Sequence, residues 1–122
     1  MSINHYEFIE EPSFLKLKEK YNHYKSLSED IERFKKVLQE KLGRGDRMRR
    51  HIGDPPRIFL WKSYMRCKSL QKGAREGFRV WHSQDTSNEK IHLLGLYPKN
   101  DEDPIEDREL EKYFQLLLVL DS

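Results

Sequence analysis

Residues 77–99 read GFRVWHSQDTSNEKIHLLGLYPK, and the division of this stretch decides the fold. Two runs, 78–82 and 91–97, are rich in β-branched and aromatic residues. Between them, residues 83–89 are polar and built from turn formers, which predicts a β-hairpin with a longer loop. Arg79 stands inside the first run and Lys99 closes the second. Strand alternation sets Arg79 and Trp81 on one face and Phe78, Val80 and His82 on the other. It also sets His92 with Leu94 and Leu96, opposite Tyr97 and Lys99. Both histidines therefore read as packed side chains rather than as bases beside Arg79. A charge within a half-buried strand has two readings, an edge arginine paired with a carboxylate or a functional group.

Working outward, Ile58, Phe59, Leu60 and Trp61 are continuously apolar, as expected of a central strand over residues 57–64. Residues 68–76 form a polar, cationic connection into the hairpin. Residues 43–56, GRGDRMRRHIGDPP, hold three glycines, two prolines and four arginines, and predict a flexible basic loop from which His51 could reach a site. Upstream, residues 3–10 predict a short strand with Ile3, Tyr6 and Phe8 on its apolar side. Pro12 then opens a helix carrying Phe14, Leu15, Leu17, Tyr21 and Tyr24. Ser28 is the expected cap of a second helix, in which Ile31, Phe34, Val37, Leu38 and Leu42 repeat until Gly43 ends it. Downstream, residues 105–120 predict a helix bearing Leu110, Tyr113, Phe114, Leu117 and Leu118. The expected order is β-α-α-β-β-β-α, a single α+β domain over residues 1–122. It has a small antiparallel-rich sheet, a helical hairpin on one face and a C-terminal helix.

At 122 residues the chain suits one modest core, with 36% hydrophobic and 36% charged residues. No apolar run approaches the roughly 20 residues of a membrane span. The N-terminus lacks the cationic start and apolar stretch of a signal peptide, so a cytoplasmic protein is expected. The formal net charge of +2 conceals an asymmetry. Residues 41–82 carry twelve cations against three acids, a net of +9, whereas residues 101–112 carry seven acids against two cations, a net of −5. A basic centre interleaved with aromatic residues suits a polyanion such as RNA or DNA, or else a solvated surface with no ligand. The acidic run reads as a solvated turn and helix start, or as a segment folding back over the basic sheet.

Single Cys67 excludes an internal disulfide and a cysteine-based zinc site, and it reads as packing rather than as a nucleophile. There is no Walker-type phosphate loop and no HExxH, and the histidines lack the spacing of a metal site. No cofactor is expected. A sheet rich in arginine, lysine and aromatic residues suits chemistry on a phosphodiester, where arginine can neutralise charge on phosphorus oxygens through two parallel hydrogen bonds.

The segment 56–114 carries WK at 61–62, RC at 66–67, KG at 72–73, GFRV at 77–80, IHLLGLYPK at 91–99, and an acidic turn into a helix. In these motifs it resembles the RelE/HigB-like toxins of bacterial type II toxin–antitoxin systems. It departs from them at Tyr64, where an arginine is expected, and at Glu76, where a second glycine is usual. The resemblance implies a RelE-like fold and an mRNA interferase, a metal-free endoribonuclease, often ribosome-dependent, that leaves a 2′,3′-cyclic phosphate. It also implies a cognate antitoxin, mRNA and the ribosome as partners, operator DNA reached only through the antitoxin complex, and no membrane. By position it implies Arg79, Lys68, Tyr97 and Lys99 as catalytic residues, with Lys62, Arg66, Lys72, Arg75 and Trp81 binding RNA. Tyr97 and Lys99 would stack on a base or donate to the leaving oxygen, and one lysine would act as base if its pKa were lowered. The alternatives are a ParE-like gyrase inhibitor and a catalytically inactive relative that only binds nucleic acid or antitoxin.

Overall fold

The computed structural model describes residues 5–53 and 55–120, with side chains to residue 116. Ile3, expected on the first strand, lies outside the described residues, as do the side chains of Leu117 and Leu118. The elements run β1 (Glu7–Glu10), α1 (Pro12–Lys20), α2 (Leu27–Glu40), β2 (Arg47–Ile52), β3 (Ile58–Met65), β4 (Phe78–Asp85), β5 (Lys90–Pro98) and α3 (Asp107–Leu120). Short 3-10 turns at Lys68–Leu70 and Ala74–Glu76 bridge β3 and β4. The five strands form one sheet in the order β1-β5-β4-β3-β2, with β1 parallel to β5 and every other pair antiparallel.

Helices cover both faces. On one, α2 buries Leu27, Ile31, Phe34 and Leu38, and Phe34 meets His82 edge-on with ring centroids 5.7 Å apart. On the other, α3 buries Leu110 and Phe114, and Tyr113 shares a 2.9 Å hydrogen bond with Ser83. The α1 helix runs beside β5 where β1 has ended, and the Ser13 hydroxyl donates to the Leu94 carbonyl at 2.6 Å. Thus α2 covers a face, as expected of the helical hairpin, while α1 takes up a sheet edge.

Several expectations are corrected. Residues 47–52 are strand β2 rather than loop, which gives four strands after the helices instead of three. They pair with β3 on one side only, so their arginines lie along an open edge and stay in water. His51 is thereby fixed near Phe59, on the α2 side of the sheet. The α2 N-cap is Ser26 rather than Ser28, and its hydroxyl donates to the buried Asp30 carboxylate at 2.7 Å. That carboxylate also accepts from Arg33 and from the Lys68 backbone N–H, so the helix start is bound to the turn after β3. Ser83, Gln84 and Asp85, expected in the hairpin loop, extend β4 and are buried. Each polar group is satisfied. Gln84 donates to Tyr6 Oη and the Leu42 carbonyl, and Asp85 accepts from Ser87 N and Asn88 N at the turn.

A bulge sets the faces of β5. Trp81 pairs with Gly95 and His82 with Leu93, leaving Leu94 as the extra residue. This moves His92 onto the face of Tyr97, reversing the alternation expected from sequence. There its Nδ1 lies 2.6 Å from the Glu11 carboxylate, so it remains a packed histidine. His82 faces α2, opposite Arg79, as strand alternation requires.

His82 is fully buried. Ser63 Oγ accepts from the Asp46 N–H at 3.0 Å and shares a 2.8 Å hydrogen bond with His82 Nε2, while Nδ1 has no partner. Gly45 closes over this pair: a Cβ there would overlap the Ser63 hydroxyl and lie 2.7 Å from His82 Nε2. Burial pushes the imidazole pKa from 6.5 down to about 3. The unfolded chain therefore takes up a proton that the folded chain refuses. The contribution is whole above pH 6.5 and is lost as pH falls toward 3. Urea denaturation across that range is expected to show declining stability, with a shallower decline in His82→Gln.

Candidate functional site

Strand register builds the site on the α3 side of the sheet, beyond the reach of α3 itself. Arg79 on β4 lies opposite Tyr64 on β3 and Tyr97 on β5, so all three share one face. The Arg79 guanidinium lies 4.4 Å from the centre of the Tyr64 ring. Its Nη1 is buried with no hydrogen-bond partner, and among the described residues no carboxylate forms an ion pair with it. The edge-strand reading of Arg79 therefore fails twice: β4 is the middle strand, and no described acid pairs with this cation.

At the sheet end, Lys99 donates to both oxygens of Glu76 at 2.9 Å. The hydrogen bonds and charge of Lys99 hold the exposed Glu76 carboxyl below its usual range, with smaller contributions from Lys72 and Arg79. Four charged groups thus converge where the 73–76 turn meets the end of β5. Glu76 is the sole acid among them.

Lys62 and Trp81 form the next row of the same face. Lys62 donates to Asp103 at 3.0 Å and lies 5.0 Å from the Trp81 ring and 5.1 Å from that of Tyr97. Burial opposes its charge, but hydrogen bonds with Tyr97 and Asp103 outweigh that effect and raise its pKa. Lys62 is accordingly a fixed cation and not a lysine tuned to accept a proton. Asp103 also accepts from Trp81 Nε1 at 3.0 Å, and Arg50 pairs with Glu111 of α3 while lying 4.9 Å from the Phe114 ring. The acidic segment therefore folds back over part of the basic face.

The residues implied by resemblance separate into three places. Arg79, Lys99, Lys72 and Tyr97 belong to the Arg79 face, with Lys62 beside them. Trp81 and Tyr97 are each only 5% exposed, so neither ring is open to stack on a base; burial against the 99–106 segment is the cause. Arg66 and Arg75 line a separate groove on the α2 side. Lys68 opens the first 3-10 turn, with its backbone tied to Asp30, away from Arg79. Tyr64, Glu76 and Asp103 were missed as site residues. For Tyr64 the missed signal is pairing: only the β3–β4 register brings it opposite Arg79.

The chain matches no protein-family model and no curated protein. Among the described residues there is no cluster of histidine, cysteine or carboxylate side chains suited to a metal ion, and no helix long and apolar enough to cross a membrane.

Lys99→Ala is expected to raise the Glu76 carboxyl pKa toward 4.5, since Lys99 is the main cause of its depression. Carboxyl-carbon NMR titration reads this directly. An unmoved Glu76 would show that the Lys99 pair does not persist in solution.

Proposed function

We propose that the Arg79 face binds and cleaves a single-stranded RNA phosphodiester, in the manner of the RelE/HigB-like mRNA interferases that the sequence resembles. The observation that carries this reading is Arg79 itself, a cation on the central strand with an unused donor, seated on a tyrosine and flanked by Lys72 and Lys99. A buried donor without a partner costs about 1–3 kcal/mol. Arg79 is only half-buried, and a phosphate would meet the accessible part of its guanidinium, which can engage phosphate through two parallel hydrogen bonds. The α+β sheet with helices on its faces is compatible with the RelE-like fold expected from the resemblance.

In the proposed reaction the ribose 2′ oxygen attacks the neighbouring phosphorus. A P–O2′ bond forms, the P–O5′ bond breaks, and a 2′,3′-cyclic phosphate and a 5′-hydroxyl result. Arg79 and Lys72 neutralise the charge that develops on the non-bridging oxygens. The Glu76 carboxylate, charged at neutral pH, accepts the 2′ proton. Lys99, hydrogen-bonded to it, supplies a proton to the departing 5′ oxygen. Tyr64 holds the guanidinium plane, a role that departs from the arginine expected there.

Such an activity inside its own cell requires restraint. A cognate antitoxin presenting acidic side chains to Arg79, Lys72 and Arg66 would provide it, with operator DNA contacted through the resulting complex. Lys62 is not available to such a partner while Asp103 occupies it.

Arg79→Ala is expected to lower RNA cleavage by about 10²–10³-fold, the scale of one transition-state donor. Tm should be retained and growth inhibition relieved. Full cleavage by a folded Arg79→Ala protein, with or without ribosomes, would overturn the assignment.

A further inference from the structure

A second basic concavity lies behind the Arg79 face. It is a groove of about 510 Å³ between α2 and the turn at Ala74–Glu76. Phe34, Val37 and Met65 contribute apolar surface, and Arg66 and Arg75 contribute cations. Arg33 and Lys41 also line it, but Arg33 is bound to the buried Asp30 and Lys41 lies 3.4 Å from Asp46. Arg66 and Arg75, by contrast, form no ion pair with any described acid. Two exposed arginines at the mouth of an apolar-floored groove suit a ligand that carries both negative charge and flat apolar surface. A single-stranded nucleic acid has both.

Tyr64 joins this groove to the Arg79 face. It lines the groove, is 39% exposed, and carries the Arg79 guanidinium against its ring. The sheet edge beside it is open, because β2 pairs with β3 only as far as Lys62. Past that point the Tyr64 N–H is met by the Asp46 carboxylate at 2.7 Å, and residues 63–65, paired with β4 on their other side, have no strand on the β2 side. A chain leaving Arg79 can therefore turn around the end of β3 without crossing another strand.

We propose that the groove continues the RNA site. An RNA strand with one phosphate at Arg79 passes Tyr64, sets a base against that ring, and lays its flanking phosphates on Arg66 and Arg75. This rests on the reading of the Arg79 face as a phosphodiester site, and it extends that reading to a track of at least about four nucleotides. It assigns Arg66 and Arg75 to substrate length and Arg79 to the reacting phosphate. The apolar floor and the exposed tyrosine favour nucleic acid over an acidic peptide, which has no flat bases to place there.

Fluorescence anisotropy with a labelled RNA dodecamer and a dinucleotide tests the track. The proteins are the wild type, Arg66→Ala/Arg75→Ala and Arg79→Ala, with folding checked by Tm. The paired variant should bind the dodecamer more weakly, with its salt slope reduced by about 1.4 for two lost phosphate contacts. Dinucleotide binding should be unchanged. Arg79→Ala should weaken both RNAs. Unaltered dodecamer affinity and salt slope in the paired variant, with Arg79→Ala still impaired, would overturn the track and leave the Arg79 site standing. Failure of wild type to bind either RNA would overturn both. An octaglutamate peptide that binds through Arg66 and Arg75, while RNA ignores them, would make the groove a seat for an acidic protein instead.

Discussion

The middle strand β4 is covered by α2 on one face and α3 on the other, and seven of its eight residues are buried. Its polar side chains must therefore find partners inside the protein or carry an energetic cost. Ser83, Gln84 and Asp85 are satisfied by Tyr113, by Tyr6 with Leu42, and by the following turn. His82 remains neutral and bonded to Ser63. Arg79 is the one cation of the strand; no described carboxylate pairs with it, and its Nη1 has no hydrogen-bond partner. The rest of the candidate site is arranged around that exception.

Its surroundings follow from where the coverings stop. The α3 helix and the acidic segment before it engage Ser83, Trp81, Lys62 and Arg50, and thereby neutralise part of the basic face. At Arg79 this cover ends, and Tyr64, Glu76, Lys72 and Lys99 form the rim. The Leu94 bulge contributes by keeping Tyr97 in line with Arg79 while Leu93 still faces the α2 side with His82. Without the extra residue, one half of β5 would turn its apolar side chains away from the core. Local irregularity thus reconciles two buried faces with one functional row.

Much of this was legible in the chain. The apolar runs around residues 58–61, 78–82 and 91–97 mark the central strands because each is covered on both faces. The helical periodicity around Phe34 and Leu38 marks α2 for the same reason. What escaped depended on distant partners. The arginines at 47, 49 and 50 disguise β2, since an edge strand with one open side needs little apolar sequence. Ser83–Gln84–Asp85 resembles a loop because the groups that satisfy Gln84 and Ser83 lie far away in sequence, at Tyr6 and Tyr113. The face of His92 could not be read, because Leu94 carries no local mark of a bulge. At the site, Arg79 was evident as a misplaced charge, but Tyr64 and Glu76 acquire meaning only from pairing and from the fold of the turn. Trp81, an RNA-binding residue by resemblance, is enclosed by the acidic segment.

The chemistry assigned to Arg79 and its neighbours leaves a distinctive mark on its product. The most direct measurement is end-group analysis of a defined mRNA incubated with the purified protein, alone and with ribosomes. Attack by the ribose 2′ oxygen predicts fragments ending in a 2′,3′-cyclic phosphate and beginning with a 5′-hydroxyl, and no cleavage where the scissile nucleotide carries 2′-deoxyribose. Intact RNA under both conditions, fragments ending in a 3′-hydroxyl, or cleavage that persists at 2′-deoxy positions would contradict it.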